Sequence, residues 1–437
     1  MKKLVILSIA FTLFLQSNVL AKTYKNKLTL EKDEEDSVVV NNKTNSNEKN
    51  EVKNTKTTKE KNNTNNTKDS NSFVFPYLSG NLLFRYNADF LTGHHRKDFL
   101  GKNNSMSYAD VEANLNVNFT ETFSIASKLV FEPTQKRTYK GSVYTNDFYA
   151  QEKYLKRKHY LKEYGLKVEE LYAQYKNDDF NAGVGKFNPS FALGYDKTRY
   201  IGTNGSRFTE EYELTEKVGA FASMNLPFFR FRANFFFDDT SFLSDSVIRN
   251  RKKLKKDIVA GDTNKMNNFS LTTEFLLPED FKINLGMRRL AVEKRYLDPE
   301  YGYTFGIEKI FDDISGFEII PFFETVYLNN FRGEKERDVY YATLNIPFIY
   351  KNWNFTITES AKLDRNNKKT RYNTVKYGNK TSHFTQFNIG YKFENGIMFD
   401  VSKTFGKEYK KFDDSNKKLK SDLNSWNFVL SYVLNVD

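Results

Sequence analysis

Apolar and polar residues alternate with a period of two along most of this chain. From Ala109 to Phe119 every odd position is apolar and every even position is polar. A similar alternation runs from Phe229 to Phe237 and from Trp426 to Leu434. Because successive side chains of a β-strand point to opposite faces, this pattern predicts strands that have one apolar and one polar face.

Sixteen such segments are predicted, and the connections between them alternate between short and long. The segments lie near residues 77–90, 107–119, 122–133, 166–176, 180–192, 214–226, 229–238, 267–277, 281–294, 301–312, 317–329, 338–350, 353–364, 382–393, 396–407 and 424–436. Short turns on one side and longer loops on the other are typical of a transmembrane β-barrel. Such a sheet must close on itself, since lipid offers no hydrogen-bond partner to a free edge.

The predicted fold class is therefore all-β, with an antiparallel up-and-down transmembrane barrel of about 16 strands over residues 73–437. Its short turns are expected on the periplasmic side and its long loops on the outer side. A secreted array of β-sandwiches would show the same alternation with its apolar faces turned inward. The barrel is favoured because aromatic residues such as Phe119, Trp353, Tyr391 and Trp426 gather at segment ends, as in interfacial girdles.

The first 72 residues follow no such pattern. Residues 1–21 combine a basic start, an apolar stretch and a small residue before Lys22, which predicts a secretory signal peptide; an uncleaved N-terminal anchor is the alternative. Residues 22–72 are rich in Asn, Lys and Thr and predict a disordered periplasmic tail. The expected location is the outer membrane of a Gram-negative bacterium.

Composition narrows the possible functions further. The 437 residues carry a formal net charge of +12, no Cys and only four His. The absence of Cys excludes disulfide scaffolds and thiol nucleophiles, and four His leave little room for a metal centre. We therefore expect no metal and no cofactor. Basic runs occur without the context of a nucleic-acid-binding fold, so nucleic acid is not an expected partner.

Two other functions are left open by the residues. An enzyme on the barrel would need a Ser or an Asp beside His94, His95, His159 or His383, but no Gly-x-Ser-x-Gly sequence or metal-spaced pair supports one, so we expect no enzyme. The long loops are basic, as at Arg251–Lys256. Basic loops around the outer opening of the barrel would concentrate anions, or they would bind lipopolysaccharide phosphates. A structural or adhesive barrel is the alternative to a channel.

The sequence GKFNPSF at 185–191, followed by FTEEYELTEKVG at 208–219, resembles a region of porin-like proteins of the alphaproteobacterial type. Its Gly-Lys-Phe part is similar, more weakly, to the phosphate-selective porins. Together with the predicted barrel, the chain resembles the general bacterial outer-membrane porins. The resemblance implies a water-filled channel for passive diffusion of ions and small hydrophilic solutes, which we expect to favour anions mildly. It also implies a homotrimer that contacts outer-membrane lipid and lipopolysaccharide.

The resemblance further implies that the loop at 193–213, between the fifth and sixth strands, folds inward and narrows the pore. A loop packed outside the barrel is the alternative. The implied pore constriction contains Asp196, Lys197, Arg199, Arg207, Glu210, Glu211 and Glu213. The predicted pore wall contains Arg230, Arg232, Lys282, Arg288, Glu112 and Glu274. Opposed charges across a narrow gap would produce a transverse field that sorts solutes by charge and dipole.

Three charged residues do not fit the predicted inward face. Arg289, Glu359 and Lys403 fall on the lipid-facing side of the alternation. This position predicts either a place near the lipid headgroups or an irregularity in the strand register.

Overall fold

The computed structural model describes residues 75–92, 103–133, 159–160, 164–198, 207–239, 241, 243, 259–293, 297–366, 380–411 and 418–436. These residues belong to one compact unit, Asn71–Asp437. The predicted signal peptide at 1–21 and the predicted tail at 22–72 lie outside the described residues, as do His94, His95 and Arg199.

The described residues form nineteen strands, numbered here in chain order. The strands are β1 (Tyr77–Thr92), β2 (Asn103–Asn118), β3 (Phe123–Pro133), β4 (His159–Tyr160), β5 (Tyr164–Lys176), β6 (Phe180–Phe187), β7 (Lys217–Leu226), β8 (Phe229–Asp238), β9 (Asn268–Leu277), β10 (Phe281–Leu290), β11 (Glu300–Lys309), β12 (Phe311–Ile314), β13 (Phe317–Ile319), β14 (Phe322–Asn329), β15 (Arg337–Tyr350), β16 (Trp353–Asn366), β17 (Lys380–Lys392), β18 (Ile397–Lys411) and β19 (Lys418–Val436). Two one-turn helices, α1 (Gly194–Lys197) and α2 (Arg207–Glu210), and a 3-10 turn at Phe331–Gly333 complete the described elements. No helix among the described residues is long and apolar enough to span a membrane.

Sixteen of the described strands form a closed antiparallel barrel. β1 pairs with β2 on one side and with β19 on the other, so the sheet closes without a free edge. The remaining three strands lie outside this count: β4 adds two residues in parallel to β2, and β12 and β13 form a small hairpin between β11 and β14. The predicted fold class is confirmed.

Several strand boundaries differ from the prediction, and proline accounts for two of them. β6 ends at Phe187 instead of residue 192, because the chain turns inward at Asn188-Pro189. β14 begins at Phe322, directly after Pro321, which has no N–H to give to a ladder. The hairpin of β12 and β13 turns at Ser315 and Gly316, whose φ angles of 56° and 84° suit a two-residue hairpin turn.

The barrel wall presents its apolar side outward. Val184, Phe235 and Ile389 are 61%, 51% and 49% exposed, whereas the inward-facing Asn234 and Thr404 are fully buried. A soluble sandwich would show the reverse, so that alternative is wrong. An exterior of large apolar side chains around a polar interior is the arrangement that lipid stabilises.

Glu359 and Lys403 point outward from strands whose pairing is regular. Glu359 pairs with Thr385 across β16 and β17, and Lys403 pairs with Phe387 across β17 and β18, without a register shift in either ladder. An irregularity is therefore the wrong explanation for these two positions. Arg289 is the penultimate residue of β10, and its Nη1 donates to the carbonyl oxygen of Asn267 at 2.9 Å.

Candidate pore constriction

The described parts of the connection between β6 and β7, residues 188–198 and 207–216, lie inside the barrel and are called the inner segment here. It leaves the wall beside β6 and makes contacts with inward-facing residues of β10, β11, β14, β15, β16 and β17. These strands form the wall opposite β6 and β7 in the order of the closed sheet. The described part of the inner segment therefore crosses the lumen.

Glu324 anchors both described parts of the inner segment. This inward residue of β14 is 1% exposed, and its carboxylate accepts hydrogen bonds from the backbone N–H groups of Leu193 at 2.7 Å and Gly194 at 2.9 Å. The Tyr212 hydroxyl donates a third at 2.9 Å. A Cβ at position 194 would lie 2.4 Å from that hydroxyl, so the contact requires glycine. A carboxylate with several donors is a strong anchor because each bond is charge-assisted.

Arg288 is a second anchor for the same two parts of the inner segment. The sequence predicted a charge exposed to the lumen at this position, but the side chain is buried. It is 3% exposed, and its Nε donates to Glu300 at 3.0 Å. Its Nη1 donates to the backbone oxygen of Tyr212, and its guanidinium lies 4.4 Å from the centre of the Phe191 ring. Arg288 thus joins the wall to the inner segment.

Glu211, a predicted constriction residue, forms an ion pair with the wall. Its carboxylate lies 2.5 Å from the Lys362 ammonium and accepts a hydrogen bond from the Tyr341 hydroxyl at 2.7 Å. Burial alone would raise the pKa of this carboxyl, but Lys362 and Tyr341 hold the pKa below its usual range. Glu211 is therefore ionised and neutralised by its partner.

The inner segment also packs against apolar side chains on the inward face. Phe208 lies 4.5 Å from Phe384, and Tyr212 lies 5.0 Å from Tyr341, measured between ring centres. The contact continues over the inward residues Val326, Leu328 and Val339. These apolar residues at inward positions of β14 and β15 are the sequence signal for a docked segment, and the alternation analysis did not use it.

The inner segment also carries charged residues that are not used to anchor it to Glu324 or Arg288. Asp196 and Glu210 are exposed. Lys197 pairs with Glu308 of β11, and Lys282 lies 3.4 Å from the same carboxylate, so two predicted cations share one buried acid. The inner segment therefore carries both acidic and basic side chains here.

The wall near β8 carries the predicted arginines. Arg230 is paired with Glu274 at 3.1 Å. Arg232 lies 4.2 Å above the Phe221 ring, and its Nε donates to Asn234 at 3.1 Å. No carboxylate of the described residues lies within ion-pair distance of Arg232, so its positive charge is not neutralised by a salt bridge.

The other predicted site residues have the following positions. Glu112 is 6% exposed and contacts Arg85 and, at 3.8 Å, Lys128. Arg199 lies outside the described residues, and only the backbone of Arg207 is described, as the first residue of α2. Among the described side chains, no group of three acids or histidines is placed to hold a metal ion.

Glu213, in the inner segment and outside the spanning strands, has an unusual acidity. Burial raises its pKa to about 8, and the neighbouring carboxyl groups of Asp196, Glu169 and Glu210 act in the same direction. The carboxyl is consequently protonated in most molecules at pH 7 and ionised at pH 9.

We expect cation preference to increase as the pH rises from 7 to 9, because deprotonation of Glu213 adds a negative charge beside the lumen. The reversal potential in a salt gradient measures this change. The Glu213→Gln variant is the matched control and should respond less over the same interval. An equal response in both proteins would contradict the assignment to Glu213.

The fold and the lumen together define the class of protein. A closed barrel with an apolar exterior and a polar interior is an outer-membrane β-barrel, since only a closed sheet satisfies every backbone group in lipid. No protein-family model matches the sequence, and no curated protein matches it.

Solved structures are similar to the chain at low identity. The outer membrane channel DcaP of Acinetobacter baumannii is 12% identical with a TM-score of 0.49, over 82% of this chain and 96% of that one. OccK8 (OprE) of Pseudomonas aeruginosa is 11% identical with a TM-score of 0.46, over 82% of this chain and 98% of that one. The loop L8 deletion mutant of OmpT, an outer membrane protein of Vibrio cholerae, is 10% identical with a TM-score of 0.46, over 82% and 99% of the two chains.

Proposed function

We propose that the protein is an outer-membrane porin, a water-filled channel for passive diffusion of ions and small hydrophilic solutes. The observation that carries the proposal is the inner segment, which crosses a sixteen-stranded barrel and is fixed to the opposite wall through Glu324, Arg288 and Lys362. A barrel of this size has a lumen wide enough for water, and a segment fixed within it narrows the passage without filling it.

The charges beside the passage support selection by charge and dipole. The inner segment contributes the exposed acids Asp196 and Glu210, and the β8 wall contributes Arg230 and Arg232. Opposed charges across a gap orient dipolar solutes and slow those of the wrong sign. The unneutralised Arg232 and the protonated Glu213 both favour anions at neutral pH, in agreement with a mild anion preference.

The resemblance of residues 185–191 and 208–219 to porin-like proteins of the alphaproteobacterial type supports the same proposal, because these stretches flank the inner segment. On the same basis we propose a homotrimer embedded in lipid and lipopolysaccharide. Similarity to the phosphate-selective porins is limited to Gly-Lys-Phe, and we assign no particular solute.

A structural or adhesive barrel is the second candidate, favoured by the basic loops, which lie mainly outside the described residues. An enzyme is not proposed. His383, the described histidine with a known environment, lies on the outward side of β17 and away from the lumen.

Single-channel recording in planar bilayers tests the proposal. The purified, folded protein is expected to produce stable open steps whose size scales with salt concentration. A well-folded protein that inserts and stays silent would support the structural or adhesive role instead. Heat-modifiable migration on gels is the control for folding.

A further inference from the structure

A groove of about 420 Å³ lies on the outward, lipid-facing side of β11, β14, β15 and β16. Its floor is a row of small side chains, because Thr325 of β14 pairs with Ala342 of β15, which pairs in turn with Ala361 of β16. Larger outward residues, such as Phe305 and Leu363, line its sides. The volume lies in the range of small-ligand sites, so the groove can hold a bound molecule or part of one.

Three tyrosines form one edge of the groove. Tyr303, Tyr327 and Tyr340 lie side by side on β11, β14 and β15, with neighbouring ring centres 6.4 and 4.8 Å apart and ring planes at 12° and 28°. Tyr327 is hydrogen-bonded to Asn329 and Asp338, which lie nearer the long-loop ends of β14 and β15. The stacked rings therefore lean toward the long loops and leave the small residues of the floor uncovered.

Arg365 adds a positive charge at the same edge. The side chain is exposed on β16, and its guanidinium lies 5.1 Å from the centre of the Tyr340 ring. Asp338 is its cross-strand neighbour, and this carboxylate accepts a hydrogen bond from Asn329 at 2.9 Å. In the part of the chain that the structure describes, no carboxylate lies within ion-pair distance of Arg365. Its N–H donors are therefore available to an external anion such as a phosphate.

The two parts of this surface match the two parts of a membrane lipid. The groove is apolar and faces the hydrocarbon, so it suits an acyl chain. The tyrosines and Arg365 lie toward the long loops, at the level where aromatic and basic side chains meet headgroups. Among the described residues, the hydroxyls of Tyr303 and Tyr340 have no hydrogen-bond partner, so they can bind a polar headgroup.

The chemistry of the edge favours one lipid over the others. Hydroxyl donors beside an arginine suit a headgroup that carries its phosphate on a sugar, as lipid A does in lipopolysaccharide. The long loops are expected on the outer side of the membrane, and lipopolysaccharide is the lipid of that leaflet. A phospholipid such as phosphatidylglycerol offers the phosphate and the acyl chains, but its headgroup is smaller and lacks the sugar.

We propose that the groove is a binding site for lipid A, with one acyl chain on Thr325, Ala342 and Ala361 and a phosphate at Arg365. The proposal deepens the lipopolysaccharide partner of the proposed function, since it names the place of contact on the barrel wall. The site does not include the lumen, so lipid binding and conductance can be measured separately.

Native mass spectrometry of the full, refolded chain titrated with purified lipid A tests the groove. Ala342→Phe fills the floor and should raise the dissociation constant for lipid A by about tenfold or more, because the acyl chain loses its place. Ala361→Phe tests the same floor from β16 and should act in the same direction. Ala113→Phe, an outward alanine on β2 away from the groove, is the matched control and should change the constant less than about threefold.

The phosphate contact has its own test. The unmodified protein should bind lipid A about tenfold more tightly than dephosphorylated lipid A, and Arg365→Gln should remove most of this difference, since it removes a charge-assisted contact. Lys351→Gln is the matched control, because Lys351 also lies over a tyrosine ring, that of Tyr350 at 5.3 Å, but at the short-turn end of the barrel. This variant should keep the full difference.

Three results would overturn the proposal. The first is lipid A binding that is unchanged in both groove-filling variants. The second is phosphatidylglycerol binding as tightly as lipid A, which would assign the groove to phospholipid. The third is lipid-free pairs of copies that Ala342→Phe dissociates, which would assign the groove to a second copy.

Two further measurements complete the design. Heat-modifiable migration on gels confirms that each variant is folded. Conductance in bilayers free of lipid A reports separately on the channel. A protein that conducts but does not bind lipid A contradicts only this inference, whereas a silent protein that binds lipid A contradicts only the porin proposal.

Discussion

Replacing Glu324 by leucine is expected to about double the single-channel conductance and to increase current noise, since the inner segment loses its main anchor. The change removes the acceptor for Leu193, Gly194 and Tyr212, and leaves two backbone N–H groups without their partner. Together these hydrogen bonds contribute about 3 kcal/mol to holding the segment against the wall. Planar-bilayer recordings of the folded variant measure the effect.

The graded and control variants make this expectation specific. Glu324→Gln keeps the shape and one acceptor oxygen, so its conductance should lie between those of the leucine variant and the unmodified protein. Glu274→Gln changes another inward carboxylate that is paired with Arg230 and has no described contact with the inner segment. It should leave the noise unchanged. A leucine variant with unchanged current noise and normal conductance would show that Glu324 does not hold the inner segment in place.

Reversing Arg230 and Arg232 to glutamate is the second large effect that we expect. The cation-to-anion permeability ratio should rise by about fivefold, because four units of charge change on one side of the passage. Arg232 is expected to contribute more than Arg230, since Glu274 already neutralises Arg230. Reversal potentials measured in a salt gradient give the ratio.

The control for this variant carries the same total charge on the outside of the barrel. Arg365 and Lys407 lie on the outward faces of β16 and β18, and both side chains are exposed. The R365E/K407E double variant should therefore shift the permeability ratio much less. Equal shifts in the two double variants would mean that overall charge, and not the β8 wall, sets the selectivity.

The strands could be predicted because their determinants are local. Alternation in Ala109–Phe119 and in Phe229–Phe237 specifies two different faces, and β2 and β8 lie where this pattern predicts them. Two of the missed boundaries depend on chain direction at prolines. Asn188-Pro189 ends β6 early, and Pro321 separates the hairpin of β12 and β13 from β14.

The candidate site was predictable as a segment but not in its contacts. The resemblance indicated a loop between the fifth and sixth strands, and the described part of that loop does lie inside the barrel. The sequence treated Arg288 as a wall charge like Lys282, because both occupy inward positions of β10. Only Arg288 reaches the inner segment, through the oxygen of Tyr212.

The sequence by itself predicted a barrel of about 16 two-faced strands, since a period-two pattern needs only neighbouring residues, and the structure decided that the apolar faces point outward. The tertiary structure alone decided which charges are neutralised, because partners such as Glu324 and Gly194, or Lys362 and Glu211, are more than a hundred residues apart in the chain. It also showed that Glu359 and Lys403 lie in ladders without a register shift, since that depends on the pairing of three strands. Pairing across a closed sheet brings distant residues together, and no local pattern records it.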